Sequence, residues 1–513
     1  MDTEKTPETV APAFDRKITR GAALTGAAAV AAAAALARIQ VGPDVAEAAA
    51  GSPLPKNVTA TISIFGDDYN PTASMVKTPN NPLPIHNLQV VIDEYQRLYP
   101  GVKVNVVTPH YANDDRRTWE ITQLVGDVAP EILQTPAQAI VPDIGKGWWL
   151  NLDPYLAQPN PYIPAGHPGH DHWIDEFYPQ LTQAQRAPDG HLYALPYDFG
   201  TDLVFYNKTM FKQVGATPPT TYAELLAAMA KLQKAGHVPF GARVPADPWW
   251  EVGSMVMRRY EKIITPTGGG NSYTAKDVAL AILHGKWGAN TPEYANFLQL
   301  TKQQIPYWKK DWLVNIGPNI NDPTAENEFQ QGRIGILQSG FYMISTLDGD
   351  SQLPFEWGTF PYPTVTRGSG FGQSPYADGG PAPIIGGADV MYAVTKTATE
   401  RKNLPVVIDF LRFISAPRQA SRIVNELGQK LPIEREVTVN ANLRSIATQL
   451  THTKGSGGIF FWQYNFSPDA LQLVYNLTTS YFIGKASLNA TIAAIQKEYV
   501  RQSKAAAAKY GWK

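Results

Sequence analysis

Val58, Ala60, Ile62 and Ile64 alternate with Thr59, Thr61 and Ser63, which predicts a half-buried strand ending at Phe65-Gly66-Asp67-Asp68. Leu88, Val91, Ile92, Tyr95 and Leu98 then recur at helical spacing until Pro100-Gly101 stops the helix. Val102, Val104 and Val106 resume the alternation of a strand. The unit reads as strand, long loop, helix, strand, and in open α/β sheets ligands collect at the carboxyl ends of strands. The intervening loop, residues 66–87, is rich in Pro and Asn. Loops of that length inside a compact domain are usually functional or mobile.

The middle of the chain repeats the logic. Asp189-Gly190 is a tight-turn pair, and Leu192, Ala194 and Pro196 alternate as a strand that Pro196 terminates. Leu203 to Tyr206 is an apolar run that suits a short buried strand. Thr221 with Glu224 forms a capping box; Leu225, Met229 and Leu232 mark one face of the helix it starts, and Gly236 is placed to end it. Val407, Phe410, Leu411 and Ile414 predict another helix face, as do Ile492, Ile495 and Tyr499 near the carboxyl terminus. Patterning alone describes an α/β protein and assigns no function.

The order of particular segments says more. Asp189 to Asp198, then Asp202 to Lys208, then Pro218 to Leu225 resemble the signature of extracellular solute-binding proteins of the sugar-type ABC importers, the group that includes maltose-binding protein. Pro130 to Thr135 resembles that family's second strand and the cleft segment after it, and Trp148 to Leu156 its following motif. Phe329 to Phe341 looks like a helix end and a strand leading into the family's glycine-aromatic cleft turn, with Phe341 in place of the usual Trp. Phe355 to Pro363, Gly386 to Thr395 and Leu431-Pro432-Ile433 are similar to a strand and two returning crossings. Each motif is weak, but their agreement in order over most of the chain is informative.

The resemblance implies an α/β protein with the two-lobed periplasmic-binding-protein type II fold and three hinge crossings. It places one lobe at 51–198 and 389–432 and the other at 199–388 and 433–513.

At 513 residues and 44% hydrophobic, the chain is long enough for two cores, and its net charge of −1 gives no sign of a nucleic-acid surface. Aromatics make up 11%, including 12 Trp and 24 Tyr. Such rings fill cores and also stack on the C–H faces of sugars. Cysteine is absent, so no disulfide supports either lobe and no lipid-acceptor cysteine is present.

Arg16, Lys17 and Arg20 precede the Ala-rich run Gly21 to Ala37, and small residues around 46–50 offer a cleavage site. Residues 1–50 resemble a twin-arginine signal peptide, with Lys17 where the second arginine would stand. An Ala-rich membrane anchor is the weaker alternative. The expected location is the periplasm or the exterior.

Trp249-Trp250-Glu251 could stack on a pyranose and accept its hydroxyl hydrogens; a core Trp and an acid at a helix start is the competing role. Asp67, Asp68, Tyr197 and Asp198 follow strand ends and would converge on a cleft, although Asp also forms turns routinely. The resemblance adds Phe65, Gln134, Thr135, Gly340, Phe341, Gly386, Gly387 and Trp462 to the expected ligand-binding set. His167, His170 and His172 share a proline-rich loop, but their spacing fits no closed zinc pattern, and no metal or other cofactor is expected. No phosphate-binding Gly-x-x-x-x-Gly-Lys-Ser/Thr loop and no Gly-x-Ser-x-Gly elbow occurs.

These readings lead to a monomeric, non-enzymatic receptor that captures a small solute, a mono- or oligosaccharide, between its lobes. It would hand that solute to the permease subunits of an ABC importer. The rival is a secreted carbohydrate-active hydrolase with two carboxyl groups facing each other across a cleft.

Overall fold

The computed structural model describes residues 54–109 without 79, 80 and 82; 116–243; Val252, Gly253, Val256, Tyr260 and Ile264; 274–312; 323–365 without 351 and 364; 386–444; and 468–513. The expected signal segment, Trp249, Trp250, Glu251, Trp462 and the 366–384 loop lie outside the described residues.

The first sheet is built from β1 (Ala60–Phe65), β2 (Val102–Val106), β3 (Ile132–Gln134), β4 (Ala194–Pro196) and β10 (Met391–Val394), in the order β2-β1-β3-β10-β4. β2, β1 and β3 are parallel, while β10 returns antiparallel between β3 and β4. Helix α1 (Asn87–Leu98) connects β1 to β2 and buries Leu88, Val91, Ile92 and Tyr95, the stripe that the spacing predicts. Helix α2 (Arg116–Val125) precedes β3.

The second sheet has β5 (Asp198–Asn207) at its centre. Its order is β11-β5-β7-β6, formed with β6 (Val238–Ala242), β7 (Ile334–Gly340) and β11 (Leu431–Pro432), while β8 (Trp357–Phe360) and β9 (Gly386–Ala388) also pair with β5. β6 and β7 run parallel, and β5 is antiparallel to β7. The capping box predicted at Thr221 and Glu224 is formed, and it starts helix α3 (Tyr222–Lys234), whose Leu225, Met229 and Leu232 are buried.

β5 is ten residues long, more than the apolar run Leu203 to Tyr206 suggests. Its first part pairs with β11 through Asp198 and Phe199 and with β9 through Phe199 to Thr201. Its second part pairs with β7 and β8. Three chain crossings between the sheets therefore lie side by side, at residues 196–199, 388–391 and 430–433. Helices α5 (Leu404–Ser415) and α6 (Pro417–Leu427) lie between the second and third crossings, and α5 is buried along nearly its whole length. Hinge-linked lobes with this topology are the two-lobed type II fold. One continuous apolar core joins Ile62, Ile132, Val407, Phe410 and Leu431, and a second joins Val204, Tyr222, Leu232 and Tyr499.

Candidate functional site

The carboxyl ends of the parallel strands β1 and β3 carry a charged cluster. Asp67 follows β1 in a short 3-10 turn with φ of 55°, a left-handed conformation that Asp tolerates better than most side chains. Arg116, at the start of α2, reaches three acceptors at once: Asp67 Oδ2 at 2.6 Å, Glu120 Oε1 at 3.1 Å and the Gln134 backbone carbonyl at 2.6 Å. Its guanidinium lies over the Phe65 ring, 5.3 Å from the centroid. Burial raises the Asp67 pKa, and Arg116 opposes that rise. Burial works against the Arg116 charge, yet Asp67 and Glu120 outweigh it and the guanidinium pKa rises.

A second cluster sits at the crossings. Lys430, just before β11, contacts Asp389 Oδ2 closely and Asp68 Oδ2 at 3.3 Å. Asp198, at the start of β5, is buried and accepts from Tyr69 Oη at 2.6 Å and from the Val390 backbone N–H at 2.8 Å. Burial pushes its carboxyl up to about 6, with Lys430 and the Tyr69 hydrogen bond pulling the other way. Gly200 leaves room here, since a Cβ at that position would lie 3.1 Å from the Asp389 carboxylate, a tight contact.

The carboxyl ends of β6 and β7 carry the third. Glu326, on helix α4 (Pro323–Gln330), accepts short hydrogen bonds from both the Ser339 and Tyr342 hydroxyls. Arg243 follows β6, donates its backbone N–H to the Gln338 carbonyl at 3.0 Å, and places its guanidinium 4.8 Å from the Tyr342 ring centroid. Gly340 is also constrained, since a Cβ there would meet the Tyr342 ring at 2.5 Å. Burial raises the Tyr342 hydroxyl pKa. Gln338 is buried with both side-chain amide atoms unbonded, and the Oε1 of buried Gln134 is likewise unbonded. Unpaired buried amides cost free energy unless some group supplies their missing partners.

The expected site residues divide. Asp67, Asp68, Gln134 and Asp198 come together at the first two clusters, with Phe65 beneath Arg116. Thr135 is buried, and its hydroxyl lies 3.4 Å from Glu120. Two expectations are corrected. Tyr197 is fully buried: its ring packs edge-on against Tyr69 and Tyr392, and its hydroxyl donates to the Ile414 carbonyl at 3.0 Å. Phe341 is 1% exposed and belongs to the apolar core, so the aromatic presented at the glycine turn is its neighbour Tyr342. Gly386 and Gly387 serve as backbone in the second crossing, opposite Thr201 and Gly200.

The histidine loop separates its rings. His167 Nδ1 meets Glu436 Oε2 at 2.7 Å, His170 Nδ1 meets the Ile163 carbonyl at 2.7 Å, and His172 faces Asp175 at 3.4 Å. Among the described residues no group of three His, Cys, Asp or Glu side chains is arranged to hold a metal ion.

Polar clusters at strand ends, on both sides of three crossings, are where a two-lobed binding protein holds its ligand. The pattern of the bacterial extracellular solute-binding protein family matches residues 85–421, more than half of the chain. The chain belongs to that family.

Within this solute-binding family, the chain is 24% identical over 338 residues to the sn-glycerol-3-phosphate-binding periplasmic protein of Agrobacterium fabrum, covering 63% of this chain and 69% of that protein. Its counterpart in Rhizobium meliloti is also 24% identical, over 59% of this chain and 66% of the relative. Among solved structures, a cyclic alpha-maltosyl-1,6-maltose binding protein from Arthrobacter globiformis superposes with TM-score 0.56 at 21% identity, covering 88% of this chain and all of that one. A family 1 extracellular solute-binding protein from Bifidobacterium longum subsp. infantis gives TM-score 0.57 at 15% identity over 86% of this chain and 99% of its own. At these identities the structures share the fold.

Arg116, Glu120, Arg243, Glu326, Tyr342, Asp389 and Lys430 are absent from the site expected from sequence. Arg116 and Glu120 stand one helical turn apart, and Tyr342 directly follows Phe341, so these three had a local signal. Lys430 and Asp389 meet only because two distant crossings are neighbours.

Proposed function

We propose that this solute-binding protein captures a neutral carbohydrate between its lobes, without chemical conversion, and delivers it to the permease of an ABC importer. One observation carries the choice of a neutral solute. Among the described residues of the three clusters, the acids Asp67, Asp68, Glu120, Asp198, Asp389 and Glu326 outnumber the cations Arg116, Arg243 and Lys430, and Arg116 and Lys430 are already paired with carboxylates. A phosphate-bearing solute, like those named for the sn-glycerol-3-phosphate-binding relatives, needs cations with donors to spare. Sugar hydroxyls instead donate to fixed carboxylates and exchange hydrogen bonds with unspent amides such as Gln134 and Gln338.

In this reading the lobes divide at the crossings near 198, 389 and 432. Asp67, Asp68 and Gln134 face the solute from one side and Tyr342 from the other. From the sequence, Trp249, Trp250, Glu251 and Trp462, outside the described residues, are proposed as further ligand-binding groups, the tryptophans as stacking surfaces. Residues 1–50 direct export and are removed. No helix among the described residues is long and apolar enough to cross a membrane.

Titration calorimetry of the mature chain against raffinose, maltose, chitin oligosaccharides and sn-glycerol 3-phosphate tests the proposal. Heat of binding is expected with at least one neutral sugar and none with the phosphate. Binding of sn-glycerol 3-phosphate alone would overturn the choice of solute class, and release of reducing sugar on incubation would overturn the receptor reading in favour of a hydrolase.

A further inference from the structure

Each crossing between the two sheets carries one charged side chain: Asp198 on the first, Asp389 on the second and Lys430 on the third. The Lys430 side chain is only 7% exposed, and its ammonium touches the Asp389 carboxylate and lies 3.3 Å from Asp68, in the turn after β1. The Asp389 backbone N–H lies 3.4 Å from the Asp198 carbonyl, and the Asp389 carbonyl lies 3.4 Å from Gln134 Nε2. The Asp198 carboxylate is held in turn by Val390 and Tyr69. A buried ammonium is retained against its desolvation only when the carboxylates around it are well placed, so this arrangement is sterically and electrostatically specific. The missing side chain at Gly200, which leaves room for Asp389, is part of the same construction.

We propose that Lys430 is a positioning residue for solute capture. Through Asp389 and Asp68 it fastens the third crossing to the second and to the cleft turn that follows β1, so these two crossings bend as one unit and the cleft carboxylates keep their places. Domain closure concentrates backbone change in a few hinge residues. Crossings joined by backbone pairing alone could flex separately, whereas the second and third, joined through one cation, cannot without breaking its contacts, and the Asp198 carboxylate ties the first to the second through the Val390 N–H. The proposal rests on the reading that the lobes open and close about these crossings, but its test requires no solute. Failure of one is therefore distinguishable from failure of the other.

The chain has no cysteine, so a pair of introduced ones can be labelled uniquely. Lys103→Cys on β2 and Lys234→Cys on α3 are exposed positions on the two sheets' outer elements. Pulsed electron resonance between spin labels at these sites gives the interlobe distance distribution of the ligand-free protein. Replacing Lys430→Met in this background should broaden that distribution at least twofold well below the melting temperature, and Lys430→Arg should restore its width. A purely structural role would lower the melting temperature and leave the width unchanged. If Lys430→Met does not fold, Asp389→Asn decides, because that side chain is 51% exposed and can lose its charge without opening the core; the same broadening is expected. Distributions that superpose on the unsubstituted one in every folded variant would overturn the proposal.

Discussion

Tyr69 Oη donates to Asp198 Oδ2 at 2.6 Å, joining the turn after β1 to the beginning of β5, the longest strand among the described residues. The bond spans 129 residues of sequence and satisfies a carboxylate that has no exposure to water. It does not fully compensate for burial, since the Asp198 pKa remains raised from 3.8 to about 6.

That shift has a direction in pH. A carboxyl raised in the folded state binds its proton more tightly there than in the unfolded chain. Its contribution to stability is therefore greatest below the unfolded value of 3.8 and is lost as pH rises through about 6. The loss amounts to roughly 3 kcal/mol once the pH is above both values. Asp198→Asn keeps an acceptor for Val390 and removes the charge. Urea unfolding should show the substitution becoming more favourable, relative to the native chain, between about pH 4 and pH 7. A stability difference that does not change with pH would contradict the buried charge.

Phe341 and Tyr342 are adjacent yet have different tasks. Phe341→Ala empties a core position and should cost about 3–5 kcal/mol of stability. Tyr342→Ala removes a ring that leans on Gly340 and carries Arg243, and it should lower sugar affinity about tenfold or more while the fold persists. Thermal melts paired with calorimetry separate the two effects. A Tyr342→Ala variant with undiminished affinity would remove this residue from the site.

Arg116 holds Asp67, Glu120 and the Gln134 carbonyl with one planar group. A lysine has the charge but not the fork, so Arg116→Lys should weaken sugar binding and cost about 1–2 kcal/mol of stability. Equal affinity in the lysine variant would show that charge alone orients Asp67.

Local elements were legible in the sequence because their causes are local. The apolar stripe of Leu88, Val91, Ile92 and Tyr95, and the reciprocal bonds of Thr221 and Glu224, act within a few residues. The full length of β5 is not legible, because Asp198 to Thr201 look polar and glycine-rich in isolation; their strand conformation comes from β9 and β11, which pair with them from far along the chain. The burial of Tyr197 and Phe341 is hidden from the sequence for a related reason. Strand and turn residues face either side, and which side is core depends on helices that sequence does not position, as Ile414 does for Tyr197. The cluster of Lys430, Asp389 and Asp68 joins three remote segments and leaves no sequence spacing to detect.

A neutral carbohydrate bound between the lobes should stay with this solute-binding protein through a rapid purification. Native mass spectrometry of the chain purified quickly from its own exporting host tests it most directly. The expected result is a bound adduct that is lost on denaturation and whose mass and fragments are those of an unphosphorylated mono- or oligosaccharide. A phosphate-bearing adduct would contradict it.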